Sequence, residues 1–261
     1  WKNHPLKRLI TVKHLATHSS GIEDAETPGL GHFEQDGWKL RFWQREPDPF
    51  SMAVYEAPVI SMPGKAWHYS NPGIGALNWA VTSSLNNRPQ DNILDLLRER
   101  IMRPIGAPDG DWSIGYGNTA YDIAGMKLYA GWGGGSYTAR AAAGVGRLLL
   151  RKGNWEGRQI LSIATVERVL RHAGTPLPDR SEDKMAPGSG LAWYTNFDRV
   201  WSSVPRDAFA GAGAGHQVLF VVPSLDLVLV RNGERLDPSD SGDRFFWNSA
   251  CQYLFNPVME A

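Results

Sequence analysis

The chain holds 261 residues, 42% hydrophobic and 21% charged, a composition that supports a packed core and excludes wholesale disorder. Its 27 Lys plus Arg balance 27 Asp plus Glu, so no net field marks it for nucleic acid or an anionic membrane. The longest apolar runs, such as Val218-Leu219-Phe220-Val221-Val222, are far too short to span a bilayer.

Taken in chain order, the first two-thirds read as helices and long loops. Thr11 is the expected N-cap of a short helix over residues 12–17, which stops before Ser19-Ser20-Gly21. Asn71-Pro72 reads as an Ncap–N1 pair opening a helix with Ile74, Leu77, Val81 and Leu85 on one face. Ile93, Leu97 and Ile101 mark the next helix, ended by Pro104. Thr138 caps another, carrying Ala141, Val145, Leu148 and Leu149, with Gly153 just beyond its end. Ser162 opens a short helix bearing Ile163, Val166 and Leu170.

The last third changes character. Residues 190–194, 217–222 and 225–230 read as strands, the last two joined by a tight Pro223-Ser224 turn. A closing helix is expected over residues 243–255, from Asp243, with Phe246, Trp247, Ala250, Cys251, Leu254 and Phe255 covering a wide face. A helical layer, an antiparallel sheet and a C-terminal helix make an α+β class. No linker or repeat splits the chain, so one domain is expected over residues 1–261, mainly helical in 1–185, with strands and a helix in 186–261. The single cysteine, Cys251, allows no intrachain disulfide and leaves the compartment open.

Three stretches carry chemistry together. They are Ile10-Thr11-Val12-Lys13-His14-Leu15-Ala16-Thr17-His18-Ser19-Ser20-Gly21-Ile22, then Pro63-Gly64-Lys65-Ala66-Trp67-His68-Tyr69-Ser70-Asn71-Pro72-Gly73, then Phe209-Ala210-Gly211-Ala212-Gly213-Ala214-Gly215-His216-Gln217. Between the last two come Gly133-Gly134-Gly135, then Asn154-Trp155-Glu156-Gly157 and Ile160-Leu161-Ser162. In order and spacing the chain resembles the serine β-lactamase and DD-peptidase superfamily, in particular its class C-like esterase branch, over nearly its whole length. The resemblance implies a β-lactamase/transpeptidase-like fold and acyl transfer through a serine ester, with the serine in an S-x-x-K motif. It makes Tyr69 the proton relay and Asn71 a polar positioning residue, from the Y-x-N motif. It sets Gly211, Ala212 and Gly213 at the third motif along the substrate cleft, with the Ala214 N–H in the oxyanion hole. A free phenol titrates at about 10, so Tyr69 acts as a base only beside groups that favour phenolate. His216 and Trp132 are further candidates for the cleft. No cofactor and no metal are implied; the implied partner is a small ester, amide or peptide, in the bacterial periplasm or exterior.

Two departures follow. No S-x-x-K stands upstream of Ile10, where the family carries it; only Ser181-Glu182-Asp183-Lys184 fits, in a charged, Pro-rich loop. Residue 1 is Trp and the first Met is Met52. The expectation is therefore a fold incomplete at its N-terminus, lacking the nucleophile, its lysine, the first helix and the first two strands, and inactive as this chain alone. The missing segment would complete the fold, and without it residues 225–230 would form an open, apolar sheet edge. At the third motif, Gly211 and Ala212 replace the cation and hydroxyl that bind a substrate carboxylate, so esters or amides are expected before penicillins.

Blander readings stand beside these. Asn71 could serve only as a helix cap, and Tyr69 as a buried aromatic. His14 and His18 have metal-ligand spacing, but no Glu lies between them and no third ligand follows. The glycines at 131 and 133–135 match no phosphate-loop pattern. Two rival functions remain: a non-catalytic binding or scaffolding protein that keeps the fold, and catalysis through another nucleophile such as Ser181.

Overall fold

The computed structural model describes residues 1–238 and 244–261. The chain divides into two compact units: Trp1–Arg103 with Pro108–Ser136, and Pro104–Ala107 with Tyr137–Ala261. Both helices of residues 139–170 belong with the sheet, so this division falls elsewhere than the change of character near residue 185.

In the first unit Thr11 opens the helix Val12–Ala16 through a reciprocal cap. Its hydroxyl accepts from the His14 N–H (3.2 Å), and His14 Nδ1 accepts from the Thr11 N–H (3.3 Å). The helix Asn71–Ser84 begins one residue earlier than the sequence suggests. Ser70, not Asn71, is its N-cap: the Ser70 hydroxyl accepts from the Gly73 N–H at 2.8 Å, and Asn71 and Pro72 lie inside the first turn. Its buried positions are mostly small, Gly73, Gly75, Ala76 and Thr82, while Ile74, Leu77 and Val81 are only half-buried. Small residues let the helix approach its neighbours closely. A Cβ on Gly75 would meet Ala53 at 3.2 Å. Asn92 caps Ile93–Leu97, which continues as a wider turn, Arg98–Met102, before Pro104.

Two apolar clusters lie in this unit among the described residues. One gathers Ala25, Phe42, Trp43, Met52 and Ala53, and the other Leu15, Ile22, Ala57 and Ala76. The second cluster is tied by backbone. Ile22 bridges Val59, the Ile60 N–H donates to Gly21 O (2.8 Å), and the Glu23 N–H donates to Pro58 O (2.9 Å). Gly21 is required here. Its φ is +75°, and a Cβ would stand 2.2 Å from the Ser61 carbonyl oxygen.

The second unit is built on a five-stranded antiparallel sheet in the order Leu227–Arg231, Gln217–Val222, Phe209–Gly213, Tyr194–Thr195, Gly188–Ser189. The strand at 217–222 falls where the sequence places it. The strand expected over residues 190–194 does not form as one piece. Gly190 and Trp193 instead close a turn (N–H to O, 2.8 Å) between two two-residue strands. Leu225 likewise belongs to a short helical turn, Pro223–Leu225, and pairing resumes at Leu227.

Successive side chains of a strand point to opposite faces, and both faces of this sheet are covered. Val218, Phe220 and Val222 pack with Trp201, Phe246, Trp247 and Phe255. Leu219 and Val221 pack with Leu149, Val166, Phe209 and Val228. Thr138 caps Ala139–Leu150 and Ser162 caps Ile163–Leu170, as expected. The C-terminal helix runs from Phe246–Ala250 through a wide turn, Cys251–Phe255, into Asn256–Glu260; its expected start at Asp243 lies outside the described residues. Among the described residues no helix is long and apolar enough to cross a membrane.

Candidate active site

Tyr69 and Asn71 lie at the start of the helix Asn71–Ser84, and a loop 47 residues upstream holds them there. That loop follows directly on the first motif. His18 O accepts from the His68 N–H (2.7 Å) and Ser19 O from the Gly64 N–H (2.7 Å), so the first and second motifs run side by side. His18 has φ +53°, which ends the preceding helix and turns its ring back. Its Nδ1 accepts from the Ser70 N–H at 3.2 Å, and its ring stacks on Tyr69, centroids 4.5 Å apart. Burial pulls the imidazole down to about 4, so it is neutral near pH 7.

The Tyr69 hydroxyl donates a long hydrogen bond, 3.4 Å, to Asn71 Oδ1. Tyr69 as a whole residue is 40% exposed. Asn71 is fixed from behind by Asp24. Asp24 Oδ1 accepts from the Asn71 backbone N–H at 2.7 Å and from the side-chain Nδ2 at 3.0 Å. Burial pushes the Asp24 carboxyl up to about 6, against the bonds from Asn71 that pull it down. Asp24 is the residue that sequence reasoning missed. Only the Asp type in a Gly-Ile-Glu-Asp loop hinted at it, because nothing in the sequence links positions 47 apart.

The third motif lies in the other unit. Phe209–Gly213 is an inner strand, with Gly211 opposite Leu219, Ala212 opposite Val218 and Gly213 opposite Gln217. Ala212, Gly213 and Ala214 are exposed, and Ala214 stands in the turn that joins this strand to Gln217–Val222. The Trp193 ring covers the side of Gly211 where a side chain would project, 3.4 Å from an added Cβ.

Two further candidates sit among packed aromatic rings. His216 is fully buried and stacked on Phe246, centroids 4.8 Å apart, so it packs in the core and offers no open face for a substrate. Trp132 is half-buried in the first unit, tilted on Phe42 (5.0 Å) and edge-on to Phe50 (5.3 Å), the packing role of a large aromatic. The Ser181-x-x-Lys184 match also has a structural use. Asp183 accepts from the Trp247 and Asn248 N–H groups (2.8 and 2.9 Å), and Glu182 pairs with Arg244 (2.8 Å). The Asp183 bonds cap the C-terminal helix, and Ser181 and Lys184 are exposed. The spacing of His14 and His18 has a local explanation as well, since each Nδ1 accepts a backbone N–H.

Comparison with known proteins bears on the family and the fold. A family model described as Beta-lactamase matches residues 1–251. An uncharacterized protein of Mycobacterium tuberculosis is 30% identical over 108 residues, 41% of this chain but only 25% of that protein's length. A beta-lactamase from Mycobacterium bovis superposes with a TM-score of 0.57 at 18% identity, covering 95% of this chain and 74% of that one. EstCE1, described as a hydrolase with promiscuous acyltransferase activity, gives a TM-score of 0.61 at 15% identity, covering 94% of this chain and 72% of its own. Mixed helices and antiparallel strands in this order form the beta-lactamase/transpeptidase-like fold. With a family match running almost end to end, the chain belongs to the beta-lactamase family.

Proposed function

We propose that the protein containing this chain is a serine acyl-hydrolase of esterase, amidase or peptidase type, working through an acyl-enzyme. The observation that carries this reading is the exposed Tyr69, its ring stacked on a neutral His18 and its hydroxyl bonded to an Asn71 that Asp24 holds in place. In this reading Tyr69 passes the proton between the nucleophile and the leaving group, a general acid–base role. The N–H of Ala214 stabilises the oxyanion of the tetrahedral intermediate. The nucleophilic serine and its lysine come from outside these 261 residues, a reading supported by the use of Ser181-x-x-Lys184 as a helix cap.

Substrate preference follows from the third motif. Gly211 and Ala212 offer neither cation nor hydroxyl, so a penicillin carboxylate gains no charge-assisted bond there. The natural gene product should hydrolyse simple nitrophenyl esters with a kcat/KM at least about tenfold above that for benzylpenicillin, the worth of roughly one such bond. Steady-state kinetics on both substrates reads this, and a higher value for the penicillin overturns the preference. Labelling with a fluorophosphonate followed by mass spectrometry tests the nucleophile. An adduct on Ser181 in the 261-residue chain overturns the external serine, and no adduct on the natural product overturns the acyl-enzyme mechanism.

A further inference from the structure

Asn71 presents two chemically different ends, and which one faces Tyr69 decides whether the phenol meets an acceptor or a donor. An ionised carboxylate only accepts. At 3.0 Å from Oδ1 and 3.4 Å from Oδ2 of Asp24, the Asn71 Nδ2 is therefore the end that must face Asp24, and Oδ1 is left for the Tyr69 hydroxyl. The same carboxylate takes the Asn71 backbone N–H at 2.7 Å, so it fixes the start of the helix and the amide together. We propose that Asp24 is a positioning residue that acts on Tyr69 through Asn71, holding the amide oxygen against the phenol when ionised and releasing it when protonated. This rests on the proton-transfer role given to Tyr69 above.

Protonation removes the charge from both bonds and adds an O–H donor, which can equally satisfy Asn71 Oδ1 and turn the amide over. Burial makes this accessible, since it brings the Asp24 carboxyl to about 6. Among the described residues, two further carboxylates lie close in sequence to Asp24, and both are paired. Glu23 is in an ion pair with Lys39 (2.9 Å). Glu26, whose charge also bears on Asp24, bonds to His32 at 3.0 Å. On the other side are Tyr69 itself and His18, which titrates lower, at about 4.

The test follows the side-chain NH2 of Asn71 and the ring of Tyr69 by NMR in the 261-residue chain, titrated between about pH 4 and 8. Both sets of signals should move with one midpoint near 6. The midpoint should vanish in Asp24→Asn, persist in Glu26→Gln, and be lost from the Tyr69 ring in Asn71→Ala. Tyr69 signals that ignore the midpoint, or that keep it in Asn71→Ala, overturn the proposal. In the natural gene product, kcat should fall on the acid side of the same midpoint. Asp24→Asn should flatten that limb, and Asp24→Ala should lower kcat by roughly ten- to a hundredfold with KM changed less than about threefold. A fall confined to KM, or an acid limb unchanged in Asp24→Asn, counts against positioning. If the natural product turns over no ester or amide, the hydrolase reading fails and the NMR titration still decides the role of Asp24.

Discussion

Ser70 shows how little separates a cap from a catalytic candidate in this chain. Ser and Asn are both favoured N-caps, and Pro after Asn71 suits either register. The choice falls to Ser70 because Asp24 already binds the Asn71 N–H and amide, leaving the Ser70 hydroxyl to take the Gly73 N–H. Ser70 is also almost fully buried, so removing its hydroxyl leaves a donor that water cannot reach. Ser70→Ala should therefore destabilise the protein by about 1–2 kcal/mol, read as a lower urea midpoint with an unchanged slope. A change within about 0.3 kcal/mol would mean that the cap lies elsewhere. The residue types Tyr69, Ser70 and Asn71 were legible in the sequence, but their division of labour was not. It is set by His18 and Asp24, whose contacts cross about fifty residues of chain and leave no periodic trace.

At the scale of elements, the sequence read best where one local signal decides the outcome. Thr11, Thr138 and Ser162 cap the helices they were expected to cap, because the cap bond closes within three residues. Residues 217–222 formed a strand because both of its faces are apolar and both are covered. Residues 190–194 failed as a strand because Ala192 adopts φ +59° and the chain turns there, a choice fixed by pairing with Phe209–Gly213 rather than by propensity. Nor did the sequence show why Gly146 lies mid-helix. A Cβ there would stand 2.8 Å from both Leu219 and Val228, so the helix Ala139–Leu150 meets the sheet at a point with no room for a methyl. Gly146→Ala gains helix propensity of about 1 kcal/mol, but overpacking costs about 1–3 kcal/mol, so stability should fall by a net of up to about 2 kcal/mol. Calorimetry reads the sign, and a rise in Tm would show that the sheet can retreat.

For the whole molecule, the sheet carries a feature that the side chains do not offset. Leu227–Arg231 is the terminal strand of the sheet, paired only with Gln217–Val222 among the described residues. It is half-buried along its length, and four of its five residues are apolar. An edge of this kind invites pairing with another strand. The 261-residue chain should therefore self-associate as its concentration rises through the micromolar range, and Val230→Lys should suppress this. Sedimentation velocity reads both, and a chain that stays monomeric throughout removes the edge as a liability.

Neither compact unit is a continuous stretch of sequence. Pro104–Ala107 interrupts the first unit yet belongs to the second, where Ile105 is buried and comes within 3.3 Å of where a Cβ on Gly144 would be. A gene cut once between residues 136 and 137 would strand these four residues in the wrong fragment. Swapping one half of this protein with that of a relative therefore calls for three splice points, one on either side of Pro104–Ala107 and one after Ser136. A hybrid made at a single junction would set the relative's residues, not Ile105, against the helix Ala139–Leu150.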